Sequence, residues 1–121
     1  MAKQRVKRWT IEEAQALFKE IEPVVRSHGF LLCVAGSVII HGEGRDLDLV
    51  AVPMSSERNR DTMLRAVADH MGISLPGIYH TEENGVTLGL LYHSKMIDFF
   101  VANVIGNKQK QPCVDSSLKR R

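Results

Sequence analysis

The chain has 121 residues, of which 44% are hydrophobic and 25% are charged, and its formal net charge is +2. This length fits one domain with one modest core, and the composition is ordinary for a globular protein. With only two cysteines, no apolar run near the roughly 20 residues that cross a bilayer and no secretory signal in residues 1–8, we expect a cytoplasmic protein without a disulfide framework or a membrane partner.

Basic residues are concentrated at the two ends of the chain. Residues 1–8 and 107–121 together carry nine Lys and Arg but one Asp, so the middle of the chain is acidic. This distribution suits a protein that binds metal ions centrally and touches anionic partners at its ends. The alternative is that the ends only solubilise the chain, because neither contains an aromatic residue that could stack on bases.

The first predicted element is an amphipathic helix. Thr10 and Glu13 form a capping box, and apolar residues then recur at spacings of three and four. Pro23 should kink this helix or start a new turn, and the His-Gly pair at 28–29 should end it.

Two strands follow, separated by a short glycine-rich segment. The continuous apolar run at 30–35 predicts a strand buried on both faces, with Cys33 inside it. Residues 37–41 could form a short helix, and 47–52 is the next predicted strand, closed by Pro53.

The second half of the chain predicts one helix and one hairpin. A helix over about residues 57–70 would be capped by Ser55 or Ser56, and residues 73–85 are predicted to be mostly loop. The β-rich runs at 86–91 and 96–102 predict an antiparallel hairpin.

This order of elements indicates an α/β (α+β) fold. We expect a small mixed sheet with helices mainly on one face. Residues 1–106 would form the domain, and residues 107–121 a basic C-terminal tail.

Asp46 and Asp48 are candidate metal ligands. They are two residues apart in a predicted strand, so both side chains project from one face, with Cα atoms roughly 6.5–7 Å apart. Two carboxylates on one face repel each other unless a cation lies between them, and Mg²⁺ prefers such oxygen ligands. The alternative is an ordinary solvent-facing pair.

Asp98 is the third candidate. It is the only charged residue between Met96 and Val101, and a buried unpaired Asp is costly. If its strand pairs beside residues 46–52, three carboxylates could hold two metal ions about 3.5–4 Å apart, as in displacement at phosphorus. Alternatively, Asp98 forms an ion pair with Lys95 or Arg45.

Gly36 and Ser37 form a candidate phosphate-binding turn. A strand that runs into a Gly-Ser turn exposes backbone amides and a hydroxyl, which suit phosphate oxygens. The same dipeptide also occurs in ordinary strand-to-helix turns.

The combination of Gly36-Ser37, Asp46-x-Asp48 and a later Asp98 resembles the nucleotidyltransferase superfamily that includes DNA polymerase β. It is most similar to the small minimal nucleotidyltransferases, over about residues 10–103. The resemblance implies that Gly36 and Ser37 bind a nucleoside triphosphate. It also implies that the three Asp residues ligate Mg²⁺ or Mn²⁺, with Asp98 helping to activate an acceptor hydroxyl.

Arg45 stands where this family often has Ser. Two roles are open for it: binding phosphate through its planar group of donors, or pairing with a carboxylate. His41 could support the acidic site, although a surface or packing role is the alternative. Lys95 could neutralise phosphate charge, although an ordinary lysine of a hairpin turn is the default interpretation.

The predicted function is metal-dependent transfer of a nucleoside monophosphate from a triphosphate such as ATP to a hydroxyl of a protein, nucleic acid or small molecule. A catalytically inactive, antitoxin-like or inhibitory binding module is the alternative, favoured by Arg45, the small size and the lack of an added helical domain in these residues. Nucleic-acid binding through the basic ends is a third possibility. The oligomeric state is open.

Overall fold

The computed structural model describes residues 7–55, 59–77 and 79–103 of the chain. Within them the predicted order of helix, strand, short helix, strand, helix and hairpin is confirmed, and three short strands are added. The elements are β1 (Trp9–Thr10), α1 (Ile11–Ser27), β2 (Phe30–Ala35), α2 (Ser37–His41), β3 (Glu43–Gly44), β4 (Asp46–Pro53), α3 (Arg60–Met71), β5 (His80–Glu82), β6 (Gly85–Tyr92) and β7 (Lys95–Ala102).

The strands form one five-stranded sheet and one small ribbon. The sheet has the order β2-β4-β7-β6-β5, in which β4 and β7 are parallel and the other neighbours are antiparallel. The ribbon pairs β1 with β3, so that Trp9 lies opposite Gly44. The predicted α+β class with a small mixed sheet is therefore confirmed.

The helices α1 and α3 cover one face of the sheet and leave the other face open. The buried face holds alternate residues of the four long strands, which pack with the apolar sides of α1 and α3 into one core. On the open face, Leu31 is 46% exposed and Leu91 is 59% exposed. We call this second surface the open face of the sheet.

The prediction that β2 is buried on both faces is wrong. Phe30 and Leu32 are buried, but Leu31 and Cys33 are exposed, because in the described part of the chain helices cover only one side of the strand. The strand is apolar on both faces although only one face contacts the core.

The capping box at the start of α1 is confirmed. The Glu13 N–H donates to Thr10 Oγ1 at 3.2 Å, and the Thr10 N–H donates to Glu13 Oε1 at 3.0 Å. Pro23 does not divide the helix into two elements. It is exposed, so solvent can reach the carbonyl group that Pro23, lacking an N–H, leaves without a partner.

The predicted cap of α3 is wrong, although its buried face is confirmed. The cap is Asn59, whose side chain accepts a hydrogen bond from the Thr62 N–H at 3.0 Å, in place of Ser55 or Ser56. Ser56 lies outside the described residues. Gly72 ends the helix in the left-handed conformation, and the predicted inward residues are all buried, namely Met63, Leu64, Val67 and Met71.

The hairpin of β6 and β7 is confirmed, and its turn is tighter than expected. His93 and Ser94 both have positive φ, 53° and 66°, as a two-residue turn between right-twisted strands requires. The loop predicted at 73–85 contains a further strand, β5, which pairs with β6.

The described residues contain no helix long and apolar enough to cross a membrane. The predicted basic tail, residues 107–121, lies outside the part of the chain that the structure describes.

Trp9 anchors the start of the domain, which gives a stability prediction. Trp9 is 2% exposed, and its indole N–H donates to the Met96 carbonyl oxygen at 2.8 Å. Trp9→Phe keeps an aromatic ring but leaves that carbonyl without its donor, so we expect unfolding to become easier by about 1–3 kcal/mol.

Urea denaturation followed by circular dichroism measures this loss, since the variant has no tryptophan to report fluorescence. The control is Ile40→Ala at a 73% exposed position, which should change stability by less than about 0.5 kcal/mol. Equal stability of Trp9→Phe and wild type would show that the indole hydrogen bond does not hold this segment.

Candidate active site

The register of β4 and β7 brings the three predicted carboxylates together. Asp48 lies directly beside Asp98 in the parallel pair, and Asp46 lies beside Met96. Because side chains alternate along each strand, all three carboxylates belong to the open face. We call Asp46, Asp48 and Asp98 the acidic cluster.

Asp98 is exposed, in contrast to the expectation that it is buried. The apolar residues on either side of it in sequence point to the core, whereas Asp98 points to the side of the sheet that the helices leave open. The alternative, an ion pair with Lys95 or Arg45, is absent from the described residues. Lys95 Nζ lies 3.2 Å from Glu13 Oε2, and no ion pair joins the acidic cluster to a Lys or Arg there.

The carboxyl groups of the acidic cluster perturb each other. Partial burial raises the pKa of Asp48, and the negative charges of Asp98 and Asp46 raise it further. Partial burial and the charge of Asp46 likewise raise the pKa of Asp98. Each shift disfavours the charged form, which a nearby cation would favour.

Gly36 connects the predicted phosphate turn to the acidic cluster. Its φ of 83° and ψ of −162° are accessible almost only to glycine. A Cβ atom at this position would overlap the carboxylate of Asp48. The carboxylate therefore lies against the backbone of the turn, and glycine is the residue that permits this approach.

Gly44 permits a second close approach, on the other side of the turn. A Cβ atom there would lie 2.5 Å from Ser37 Oγ and 3.1 Å from Val38 Cγ2. The N–H groups of Ile39 and Ile40 both donate to the Gly36 carbonyl oxygen. The backbone hydrogen bonds of the short helix α2 therefore begin with the N–H group of Ile39. Ser37 is exposed, and its hydroxyl lies close to Gly44.

A pocket of about 610 Å³ contains this turn and two members of the acidic cluster. Five of the candidate residues line it, namely Ser37, His41, Arg45, Asp46 and Asp48. Asp98 is beside Asp48 in the sheet and is not part of the pocket wall. The remaining lining residues are Arg8, Glu43 and Gly44.

Arg8 and Glu43 are pocket residues that the sequence did not reveal. They reach the site because β1 pairs with β3, a contact between two-residue strands more than thirty positions apart. The one sequence signal was Trp9, the single tryptophan, placed directly before a helix cap.

Lys95 lies beside the hairpin turn and is directed toward α1. Its ammonium group lies 5.5 Å from the centre of the Trp9 ring and forms the ion pair with Glu13. Lys95 is therefore held against α1 and is not among the residues that line the pocket of about 610 Å³.

The donor groups of the acidic cluster fit a hard divalent cation. Carboxylate oxygens are the ligands that Mg²⁺ prefers, and the mutual repulsion of Asp46, Asp48 and Asp98 is relieved by a cation among them. In the described residues, no three His, Cys, Asp or Glu side chains converge on one metal position. The carboxylates are thus neighbours in the sheet without forming a closed set of ligands.

Comparisons with known proteins identify the fold. No protein-family profile and no curated protein sequence matches the chain. Among solved structures, it is similar to Cid1, an RNA terminal uridylyl transferase, with a TM-score of 0.52 and 17% identity over 77% of this chain. It is equally similar to a cytoplasmic RNA terminal U-transferase, with a TM-score of 0.52 and 15% identity over 77% of this chain.

These matches cover 31% and 28% of the two transferases, so the chain spans about three tenths of their length. At this level of identity the similarity establishes a shared fold. It confirms that the expected nucleotidyltransferase-like fold is present.

The contact between Gly36 and Asp48 gives a second prediction. Gly36→Ala places a Cβ atom into the Asp48 carboxylate and requires a backbone conformation that alanine avoids, so we expect a loss of about 1–3 kcal/mol in stability. Thermal unfolding measures it. Gly42→Ala is the control for a glycine of positive φ without a steric contact. Its φ is also 83°, its ψ of −6° lies in the left-handed region that alanine adopts at smaller cost, and nothing lies where its Cβ atom would be, so we expect a smaller loss.

Divalent-ion binding, followed by calorimetry with Mn²⁺, should weaken in Gly36→Ala and stay unchanged in Gly42→Ala. Equal effects of the two substitutions would show that backbone strain alone acts, and that Gly36 does not shape the acidic cluster.

The raised pKa values give a third prediction, on pH dependence without metal. As pH rises above the ordinary Asp pKa of 3.8, the unfolded chain releases its proton before Asp98 in the folded state does, so stability falls. Asp98→Asn removes this penalty. With a chelator present, we expect its melting temperature to exceed that of wild type by roughly a few degrees at neutral pH.

The difference should vanish below the ordinary pKa, where both states are protonated. Glu83→Gln, an exposed Glu in the turn between β5 and β6, is the control and should give no such pH-dependent gain. A stabilisation of Asp98→Asn that is independent of pH would contradict the electrostatic cause.

Proposed function

We propose that the chain transfers a nucleoside monophosphate from a nucleoside triphosphate, such as ATP, to a hydroxyl acceptor and releases pyrophosphate. The observation that carries the proposal is the direct approach of the Asp48 carboxylate to Gly36. It joins a turn suited to phosphate with a set of carboxylates suited to metal. The shared fold with two RNA terminal transferases supports the same general chemistry.

Each part of the site has a role in this proposal. The Ser37 hydroxyl and the Arg45 guanidinium line the pocket and bind phosphate oxygens, which arginine contacts with two donors at once. Asp46, Asp48 and Asp98 are the residues that would hold Mg²⁺ or Mn²⁺. The metal would supply charge neutralisation at the phosphate groups, and the residues of the chain would supply position and orientation.

The acceptor is proposed to be a nucleic acid, with a protein or small-molecule hydroxyl as the other candidates. The two similar transferases are described as acting on RNA. In this proposal Asp98 orients the acceptor hydroxyl, since it is exposed, lies beside Asp48 on the strand next to β6, and is not part of the pocket wall.

A binding module without catalysis is a second candidate, and the open face of the sheet favours it. Next to the acidic cluster this face is apolar, with Val50 beside Phe100 and Leu31 beside Val52. Exposed apolar surface of this kind is typical of protein interaction sites. In this role the chain keeps the fold and acts as an inhibitory or antitoxin-like partner.

The fourth prediction concerns the metal-dependent reaction. Incubation with nucleoside triphosphates labelled at the α-phosphate, Mg²⁺ and oligoribonucleotides should label the acceptor and release pyrophosphate. Asp46→Asn combined with Asp48→Asn should lower the rate by at least about a hundredfold, since removing even one group that stabilises transition-state charge commonly has that effect.

The control is Asp61→Asn combined with Asp69→Asn, two exposed acids of α3, which should retain activity. Full activity of the Asp46 and Asp48 double variant would refute the metal assignment. Calorimetry separates the two candidate functions, because the catalytic one requires binding of triphosphate with Mg²⁺ and the binding module does not.

A further inference from the structure

Residues 7–10 form a short extended segment that is fixed to the domain from both sides. The Lys7 N–H donates to the Ser94 carbonyl oxygen at 2.9 Å, and the buried Trp9 indole donates to the Met96 carbonyl oxygen at 2.8 Å. On the other side, Trp9 and Thr10 pair with β3. We call residues 7–10 the N-terminal strap.

The strap delivers Arg8 to the pocket. Neighbouring side chains of an extended segment point in opposite directions, so the burial of Trp9 turns Arg8 outward. There its side chain lines the pocket of about 610 Å³ with Ser37, Arg45 and Asp48. The backbone of Arg8 is thus fixed while its guanidinium is exposed.

The guanidinium of Arg8 is held only weakly. It lies 3.7 Å from Glu43 Oε2, and the two side chains are 53% and 58% exposed. Exposed ion pairs of this kind add little stability. A phosphate offers a better partner, because the planar group of donors can bind two of its oxygens at once.

The contacts around the pocket show which of its lining elements are neighbours. Asp48 lies against Gly36, Ser37 lies against Gly44, and Gly44 pairs with Trp9, next to Arg8. Arg8 therefore reaches the pocket from the ribbon of β1 and β3, whereas Asp46 and Asp48 reach it from the sheet. In the proposed binding mode the α-phosphate is at the acidic cluster, and the outer phosphates extend past Ser37 toward the ribbon and Arg8.

The charges in the pocket give Arg8 and Glu43 opposite effects. Arg8 and Arg45 face Glu43, Asp46 and Asp48, so the carboxylates of the lining residues outnumber the arginines. A polyanionic ligand entering this pocket gains from each free arginine and loses from each free carboxylate. Glu43 opposes phosphate binding in two ways, because its charge repels phosphate and because it forms an ion pair with Arg8.

We infer that Arg8 leaves Glu43 to bind the outermost phosphates of the nucleoside triphosphate, and that Glu43 opposes triphosphate binding. This inference rests on the proposed function. It assigns the N-terminal strap a role in selecting triphosphates over monophosphates, through a residue far in sequence from the Gly-Ser turn and the acidic residues.

Calorimetric titration of the full chain with ATP, ADP and AMP in the presence of Mg²⁺ tests the inference. Arg8→Ala should weaken ATP binding by about ten- to hundredfold, as expected for loss of hydrogen bonds between charged groups. The loss should be largest for ATP, smaller for ADP and absent for AMP.

The matched control is Arg26→Ala. Arg26 is likewise an exposed arginine paired with a glutamate, Glu22, but it lies in the last turn of α1. It should leave all three affinities unchanged. Melting temperatures of both variants should equal that of wild type, which excludes a folding defect.

Glu43→Gln is the second variant that tests the inference. It should tighten ATP binding severalfold in the wild-type background and less when Arg8 is already Ala, because in that background no arginine is released. An equal gain in both backgrounds would show that Glu43 acts by repulsion alone and does not hold Arg8.

The outcomes separate this inference from the proposed function. If wild type binds ATP and Arg8→Ala binds it equally well, or loses AMP binding to the same extent, the role of Arg8 is wrong and the proposed function stands. If wild type binds no triphosphate with Mg²⁺, both are wrong.

Discussion

The parallel pairing of β4 with β7 is the interaction on which the rest of the structure depends. On one face it places Leu49 beside Phe99 in the core, and on the other it places Asp48 beside Asp98. A shift of the register by one residue would expose the apolar set and turn the carboxylates inward. The burial of one face therefore fixes the position of the acidic cluster on the other, although its carboxylates repel each other.

The part of the site that lies within one strand or turn could be predicted from the sequence. The spacing of Asp46 and Asp48 placed them on one face, and the Gly-Ser break placed Ser37 at the start of a short helix. The exposure of Asp98 could not be predicted, because it depends on which face of the sheet the helices cover. Which face is covered is a property of the tertiary structure, and the residues before and after Asp98 in the strand are apolar.

The contribution of the N-terminal strap to the pocket also could not be predicted from local sequence pattern. Two-residue strands such as β1 and β3 have no periodicity, and their pairing joins segments that a whole helix and strand separate in the chain. The local sequence does contain the two glycines that the site requires. Gly36 and Gly44 stand where another side chain would meet Asp48 or Ser37, so these two glycines allow the Gly-Ser turn to approach both the acidic cluster and the ribbon.

The open face constrains how an acceptor reaches the acidic cluster. Among the described residues of β2, β4, β6 and β7 that point to this face, none is Lys or Arg, and charge is confined to the acidic cluster. Binding of a nucleic-acid backbone depends on cationic contacts to phosphate. A nucleic-acid acceptor on this face would therefore contact it through bases and sugars. Its phosphates would need cations outside these strands, whereas an uncharged acceptor would need none.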